Sequence, residues 1–223
     1  MTARIVLYGD FNCPWSYLAS RRAGLLGAAG VEVDWRAVEH APPRPAVTVD
    51  REARFLSEQA EIGRIVAMLL PGERLPYALA GFVPDTGASV SAYAEAYAAG
   101  EDALVRQVLF ESFWLHAFDL DDAQGVRTLV TDAVRSDSTG GDLLRHWDYR
   151  PVVTGDLGTA SQLVARWRAE WLATGGHVVP TLVAEDRVAF GTDAVGWLAD
   201  ELVRRGVDVS DSSPVPCGGM VAS

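Results

Sequence analysis

The sequence predicts an α/β protein whose mixed sheet is interrupted by a large helical insertion. Three observations predict it. Residues 4–38 read strand, helix, strand; residues 41–150 hold helical runs and no convincing strand; residues 156–206 read helix, strand, strand, helix.

Ile5-Val6-Leu7-Tyr8 is β-branched and aromatic and stops at Gly9-Asp10, the pattern of a short buried strand. An amphipathic run follows, with Leu18 and Leu25 seven apart and Ala19, Ala23 and Leu26 filling the stripe. The segment Gly27 to Gly30 ends it. Val31 to Val38 then alternates like a half-buried strand. Strand, helix and strand within so short a span form a βαβ unit, with parallel strands and a right-handed crossover expected.

Pro42, Pro43 and Pro45 make an extended connector. Four helices are expected after it in the insertion. They are Glu52 to Leu70 (stopped by Pro71-Gly72), Ser89 to Ala99, Asp102 to Phe118 and Asp122 to Ser136. Asp156 to Thr174 has the clearest helical period, with Leu157, Ala160, Val164, Trp167 and Trp171 at threes and fours. Thr154 or Asp156 suits its N-cap and Gly175-Gly176 its end. Its tryptophan stripe reads as core rather than as a ligand platform. Val178 to Ala184 and Arg187 to Phe190 read as a hairpin, and Asp193 to Arg205 as a last helix burying Val195, Leu198 and Leu202. Residues 207–223 lack periodicity and are expected to be a disordered tail. Without the insertion the order is βαβ-αββα, that of a thioredoxin-like fold. Residues 1–40 and 151–206 form one discontinuous domain in this reading, and 41–150 the insertion.

The 223 residues carry 19 basic side chains, all arginine, against 30 acidic ones, a net charge of −11. That argues against nucleic acid or an anionic membrane as the main partner. Lysine is absent while Ala, Gly and Arg abound, a composition expected of a GC-rich bacterial genome. No leader and no span of apolar residues long enough for a membrane is visible. Two cysteines are too few for a disulfide framework. A cytoplasmic setting, where thiols stay reduced, is therefore expected.

The chemistry is expected at residues 10–20, Asp-Phe-Asn-Cys-Pro-Trp-Ser-Tyr-Leu-Ala-Ser. Pro14 suits the first position of a helix, which puts Cys13 at a helix N-terminus. Free N–H groups and the helix dipole there favour an anion, so the thiol is expected to ionise easily and to act as a nucleophile, with a buried, inert cysteine as the alternative. Ser16 stands where a C-x-x-C motif has its second thiol. A lone thiol forms a mixed disulfide and then needs another thiol to release it. Ser16 can hydrogen-bond the sulfur or, more plainly, its own backbone. Pro180 stands inside an expected strand, where an ordinary trans proline opening the strand is the simpler reading. A cis Val179–Pro180 bond would instead leave the Val179 backbone free to pair with a peptide-like ligand.

Cys13-Pro14-Trp15-Ser16 after a strand, a helical insertion and then Val179-Pro180-Thr181 resembles the DsbA-like branch of the thioredoxin superfamily. The likeness runs over about residues 4 to 205 and includes Leu109 to Ala133, which is similar to the insertion helices of that branch. FrnE-like oxidoreductases carry C-P-W-C. The 2-hydroxychromene-2-carboxylate isomerases and kappa-class glutathione transferases carry S-P-[YF]-S. This chain has the first half of one motif and the second half of the other, while Asp10-Phe11 and Tyr17-Leu18 fit both.

The resemblance implies that Cys13 is the nucleophile and that Pro14, Trp15 and a cis Pro180 frame it. It implies that the Val179 backbone holds the cysteinyl part of a thiol ligand. Phe190-Gly191-Thr192-Asp193 is similar to the F-G-S-D of kappa-class transferases, which implies that Thr192 and Asp193 hold a γ-glutamyl end; a plain N-cap is the alternative. No tightly bound cofactor is implied, with glutathione or mycothiol as co-substrate.

Three functions follow. The first is a monothiol thiol-disulfide oxidoreductase acting through a mixed disulfide at Cys13, with the insertion as a lid that sets substrate choice. The second is a thiol-dependent transferase or isomerase acting on a small apolar substrate. The third is a non-catalytic binding module. Cys217, on the tail, reads as a passive exposed thiol or as a resolving one. The four histidines lack metal-ligand spacing, so no metal is expected. His177 is close enough in sequence to Pro180 to line the site, although a surface position is the plainer reading. A homodimer is among the assembly states left open.

Overall fold

The computed structural model describes residues 4–40, 51–77, 82–136, 158–185 and 187–210, with residues 51–58 described in backbone only. Along the chain they form β1 (Ile5–Gly9), α1 (Pro14–Ala28), β2 (Val33–Ala37), α2 (Arg51–Val66), α3 (Gly87–Ala99), α4 (Asp102–His116), α5 (Ala123–Ser136), α6 (Thr159–Ala173), β3 (Thr181–Ala184), β4 (Arg187–Phe190) and α7 (Thr192–Arg205).

The sheet has the order β2-β1-β3-β4. β1 and β2 are parallel, joined through α1, with Leu7 opposite Trp35 and Gly9 opposite Ala37. β3 lies antiparallel to β1, with Leu7 opposite Leu182, and β4 antiparallel to β3. This is the thioredoxin-like mixed sheet with a helical insertion that the element order predicts. Ile5, Leu7, Trp35 and Leu182 are fully or almost fully buried, so the central strands anchor the core.

Most elements end within a residue or two of expectation; α2 stops at Val66 rather than Leu70, and the other exceptions have local causes. β3 begins at Thr181 rather than Val178, because Val178 to Pro180 bends away from the ladder and the Val179–Pro180 bond is cis. α6 begins at Thr159 rather than Asp156. Its N-cap is Gly158 at φ 86°, a left-sided backbone that suits glycine, with no side-chain cap. Thr154, Asp156 and Leu157 lie outside the described residues. Trp167 and Trp171 are core side chains, at 0% and 2% exposure. α7 starts at Thr192 and stops at Gly206, which takes φ 66°. Past it Val209 is still buried, so the chain is packed at least that far; Cys217 and the rest of the tail lie outside the described residues.

The insertion helices share one apolar cluster with the sheet rather than building their own. Phe11, from the loop after β1, meets Phe110 of α4 at 4.8 Å and Tyr93 of α3 at 5.9 Å between ring centroids. Tyr17 of α1 stacks on Trp114 of α4 at 6.0 Å, and Trp114 Nε1 donates to the Phe11 carbonyl at 3.0 Å. Such aromatic pairs add to the area they bury. Fully buried Arg22 of α1 donates to Glu73 at 3.0 and 2.6 Å, to the Met68 carbonyl at 2.7 Å and to the Val195 carbonyl at 2.9 Å. That one side chain joins α1 to the chain after α2 and to α7. Among the described residues no helix is long and apolar enough to cross a membrane.

Candidate active site

Cys13 is the N-cap residue of α1 (φ −98°, ψ 120°) and Pro14 opens the helix. Its own N–H donates to the Asp10 carbonyl at 3.2 Å, a tight turn that folds the end of β1 into the helix. Across the sheet, β3 brings the Val179 carbonyl to 3.5 Å from Cys13 Sγ, and the thiol donates to it. Thus the sulfur, the helix start and the peptide before the cis proline meet at one point, although 166 positions separate Cys13 from Val179.

Burial works against the easy ionisation expected of Cys13. Cys13 is only 7% exposed. Burial is the largest influence and pushes the thiol up to about 11, because a thiolate there loses its water. Hydrogen bonds from the Ser16 backbone and hydroxyl, and from the Trp15 backbone, pull the other way, while the charge of Asp10 pushes further up. The helix N-terminus acts as expected through the amides of its first turn, but it does not offset the desolvation.

Ser16 is fully buried and does both of the things its position allows. Its hydroxyl accepts from the Asp10 N–H at 3.3 Å, and it hydrogen-bonds the Cys13 sulfur. Trp15, 8% exposed, is held by an Nε1–H donated to Glu61 Oε1 of α2 at 2.5 Å. Asn12 donates to the Pro84 carbonyl at 3.1 Å. Tyr77 lies close enough for the Cys13 charge to act on it, and burial holds its hydroxyl well above the usual range. Residues of the insertion therefore surround Cys13.

The first turn of α7 reaches the same place by a different route. The Gly191 N–H donates to the Pro180 carbonyl at 2.7 Å, and Thr192 and Asp193 follow, both exposed. Gly191, not Thr192 or Asp193, is the N-cap, and no side chain caps this helix. Their side chains are thus left facing solvent at a helix start beside Pro180. His177 is exposed.

Sequence reasoning missed one pair. Asp10, fully buried, accepts from the His40 backbone N–H at 3.0 Å, and its Oδ2 lies 2.7 Å from His40 Nδ1. The signal was present in the βαβ unit, since parallel strands in register bring the residues after Gly9 and after Ala37 to the same sheet end. Glu39 sits beside them, its carboxyl raised by burial and by the charges of Asp85 and Asp10. Among the described residues no group of three or more His, Cys, Asp or Glu side chains is placed to hold a metal ion.

No family model matches the chain, and none of the curated proteins matches its sequence. Solved structures do match. A 2-hydroxychromene-2-carboxylate isomerase is similar with a TM-score of 0.61 at 17% identity, over 94% of this chain and 99% of the other. A probable DsbA oxidoreductase from Streptomyces coelicolor matches at 0.60 and 19%, over 96% and 92%. The cytosolic disulfide reductase DsbM from Pseudomonas aeruginosa, in a structure with GSH, matches at 0.56 and 14%, over 90% and 99%. The chain has the thioredoxin-like fold of the DsbA-like proteins. Within that fold, its Cys13-Pro14-Trp15-Ser16 turn and cis Pro180 occupy one end of the sheet.

Proposed function

We propose that this chain is a thiol-disulfide enzyme working through one sulfur, Cys13. The observation that carries the reading is the meeting of Cys13 Sγ, at a helix start, with the Val179 carbonyl before a cis proline. An extended disulfide ligand pairing with the Val179 backbone would lay its sulfur against Cys13. The Cys13 thiolate attacks that sulfur, a Cys13–S–S–R bond forms, and RS⁻ leaves. A second thiol, R′SH, then attacks the R sulfur as its thiolate, forming RSSR′ and returning Cys13 to the thiol after protonation. Ser16 cannot displace R as a second cysteine would, so an external thiol is needed. Glutathione or mycothiol fits that role, as the GSH in the DsbM structure suggests for a protein of the same fold. Thr192 and Asp193, exposed beside Pro180, would take its polar end, and a reducing compartment would keep Cys13 a thiol.

A second reading has its own observation. A thiol raised to about 11 stays protonated at neutral pH and donates a hydrogen bond. Such a Cys13 would steady the thiolate of a bound thiol cofactor in an isomerase or transferase, without bonding to it.

Intact mass after exposure to oxidised glutathione separates the two, with Cys13→Ser and Cys217→Ser beside the parent. The mixed-disulfide reading expects one adduct, dependent on Cys13, removed by added thiol, and formed faster than iodoacetamide alkylates Cys13 at the same pH. Modification of Cys217 alone, or no adduct, refutes it and turns the search to thiol-dependent isomerase and transferase activity. Release that slows in Cys217→Ser would make Cys217 the resolving thiol.

A further inference from the structure

Between α1 and α4 lies a cavity of about 340 Å³ that neither Cys13 nor Val179 lines. Tyr17, Arg21 and Leu25 form one wall, and Leu104, Arg106 and Phe110 the other, with Glu111 beside them. Arg106 is the unusual member. It is 8% exposed, and its guanidinium carbon sits over the Trp35 ring at 5.5 Å from the centroid. Among the described residues it makes no hydrogen bond and no ion pair. A ring face meets part of the charge but offers little to the five N–H donors of a guanidinium. None of its guanidinium nitrogens is both fully enclosed and without a partner, so its donors open on the cavity, where a ligand can pair with a charge that is otherwise left single. Fully buried Arg22 of α1 shows the ordinary solution, with its partners supplied by Glu73, Met68 and Val195.

The other charges at the cavity are already matched. Arg21 lies 3.9 Å from Glu111, whose Oε1 also accepts from Gln107 at 3.1 Å. Arg106 is thus the cation of this cavity without a carboxylate partner among the described residues. Leu25, Leu104 and Phe110 give the wall its apolar surface, and Ser20 and Gln107 add polar groups.

We propose that this cavity is a binding site for a small organic carboxylate, a single carboxylate group on an apolar body, with Arg106 taking the carboxylate. A guanidinium receives a carboxylate through two parallel hydrogen bonds. One carboxylate matches the one unmatched charge, whereas a phosphate dianion exceeds it. The volume suits a ligand of one ring and a short chain. The site is separate from the thiol chemistry and does not depend on it.

Benzoate and 3-phenylpropanoate are the probes, followed by calorimetry and by melting temperature, with benzamide and phenyl phosphate as comparators. Saturable binding of the carboxylates that raises the melting temperature is expected, with benzamide silent and phenyl phosphate weaker. Arg106→Met should weaken carboxylate binding at least about tenfold, the scale of a lost charge-assisted pair. Its ligand-free melting temperature should not fall, since no partner is left behind. Should that variant melt too low to titrate, Leu104→Trp, which fills the cavity and keeps the charge, must abolish binding instead. Equal response to benzoate and benzamide, carboxylate binding that survives Arg106→Met, or tighter binding of phenyl phosphate would overturn the proposal. Glutathione adduct formation at Cys13 should be unchanged in both variants.

Discussion

In a Cys217→Ser background Cys13 is the sole thiol, and the pH profile of its alkylation reads its ionisation directly. Burial sets the midpoint near pH 11. At pH 8 roughly one Cys13 in a thousand is then the thiolate, against about a tenth of a thiol at the ordinary 9.0. Iodoacetamide should thus modify native Cys13 roughly a hundredfold more slowly than the same chain in urea, as far as the thiolate fraction governs the rate. The logarithm of the rate should climb one unit per pH unit up to about pH 10.5, with no break near neutrality. Ser16→Ala removes a hydrogen bond that pulls the thiol down, so its profile should lie further to the alkaline side. Stability carries the same signature. The fold binds this proton more tightly than the unfolded chain does, since 11 lies above the ordinary 9.0. The contribution is therefore complete below pH 9 and is lost as pH rises towards 11, by about 3 kcal/mol over the two units. Adding Cys13→Ser should flatten that part of the stability curve. A break in the alkylation profile at or below pH 7 would refute the reasoning, by showing that the helix start outweighs burial.

Two further outcomes test the framework around the sulfur. A Cβ on Gly9 would meet Trp35 Cζ2 at 2.3 Å and Ser16 Oγ at 3.2 Å, so Gly9→Ala should cost about 1–3 kcal/mol and change the Cys13 profile through Ser16, read by denaturant melts and alkylation. Glu73→Gln leaves buried Arg22 without its counter-charge and should cost about 3–5 kcal/mol, whereas Glu201→Gln, in an exposed cluster on α7, should barely move the midpoint.

The βαβ start was legible because its periods are local: a buried run, a helical stripe, an alternating run. The helices of the insertion were legible for the same reason. Cys13 and Pro180 were legible as chemistry, since a lone thiol before a proline and a proline inside a strand are both anomalies that a sequence displays. The depth of the sulfur was not. It depends on Val179 and Ser16 meeting one atom from distant parts of the chain, and no window of sequence contains both. The Asp10–His40 pair was hidden differently, because each residue alone looks like an ordinary loop polar group and only the strand register joins them. The start of α6 escaped because a glycine caps it, where a side-chain cap was the pattern sought.

Arg22 also constrains when the molecule can be finished. Its acceptors come from Glu73, Met68 and Val195, the last 173 positions further along the chain. A nascent polypeptide that has made β1, α1 and β2 possesses a helix whose charged centre cannot yet be enclosed. Desolvating that guanidinium before α7 has been synthesised would strand an ion in the interior. The early segment must therefore stay open on that face until α7 arrives, and truncation before α7 should leave a chain that does not close. Final assembly waits for α7, when one arginine can be surrounded from all sides at once.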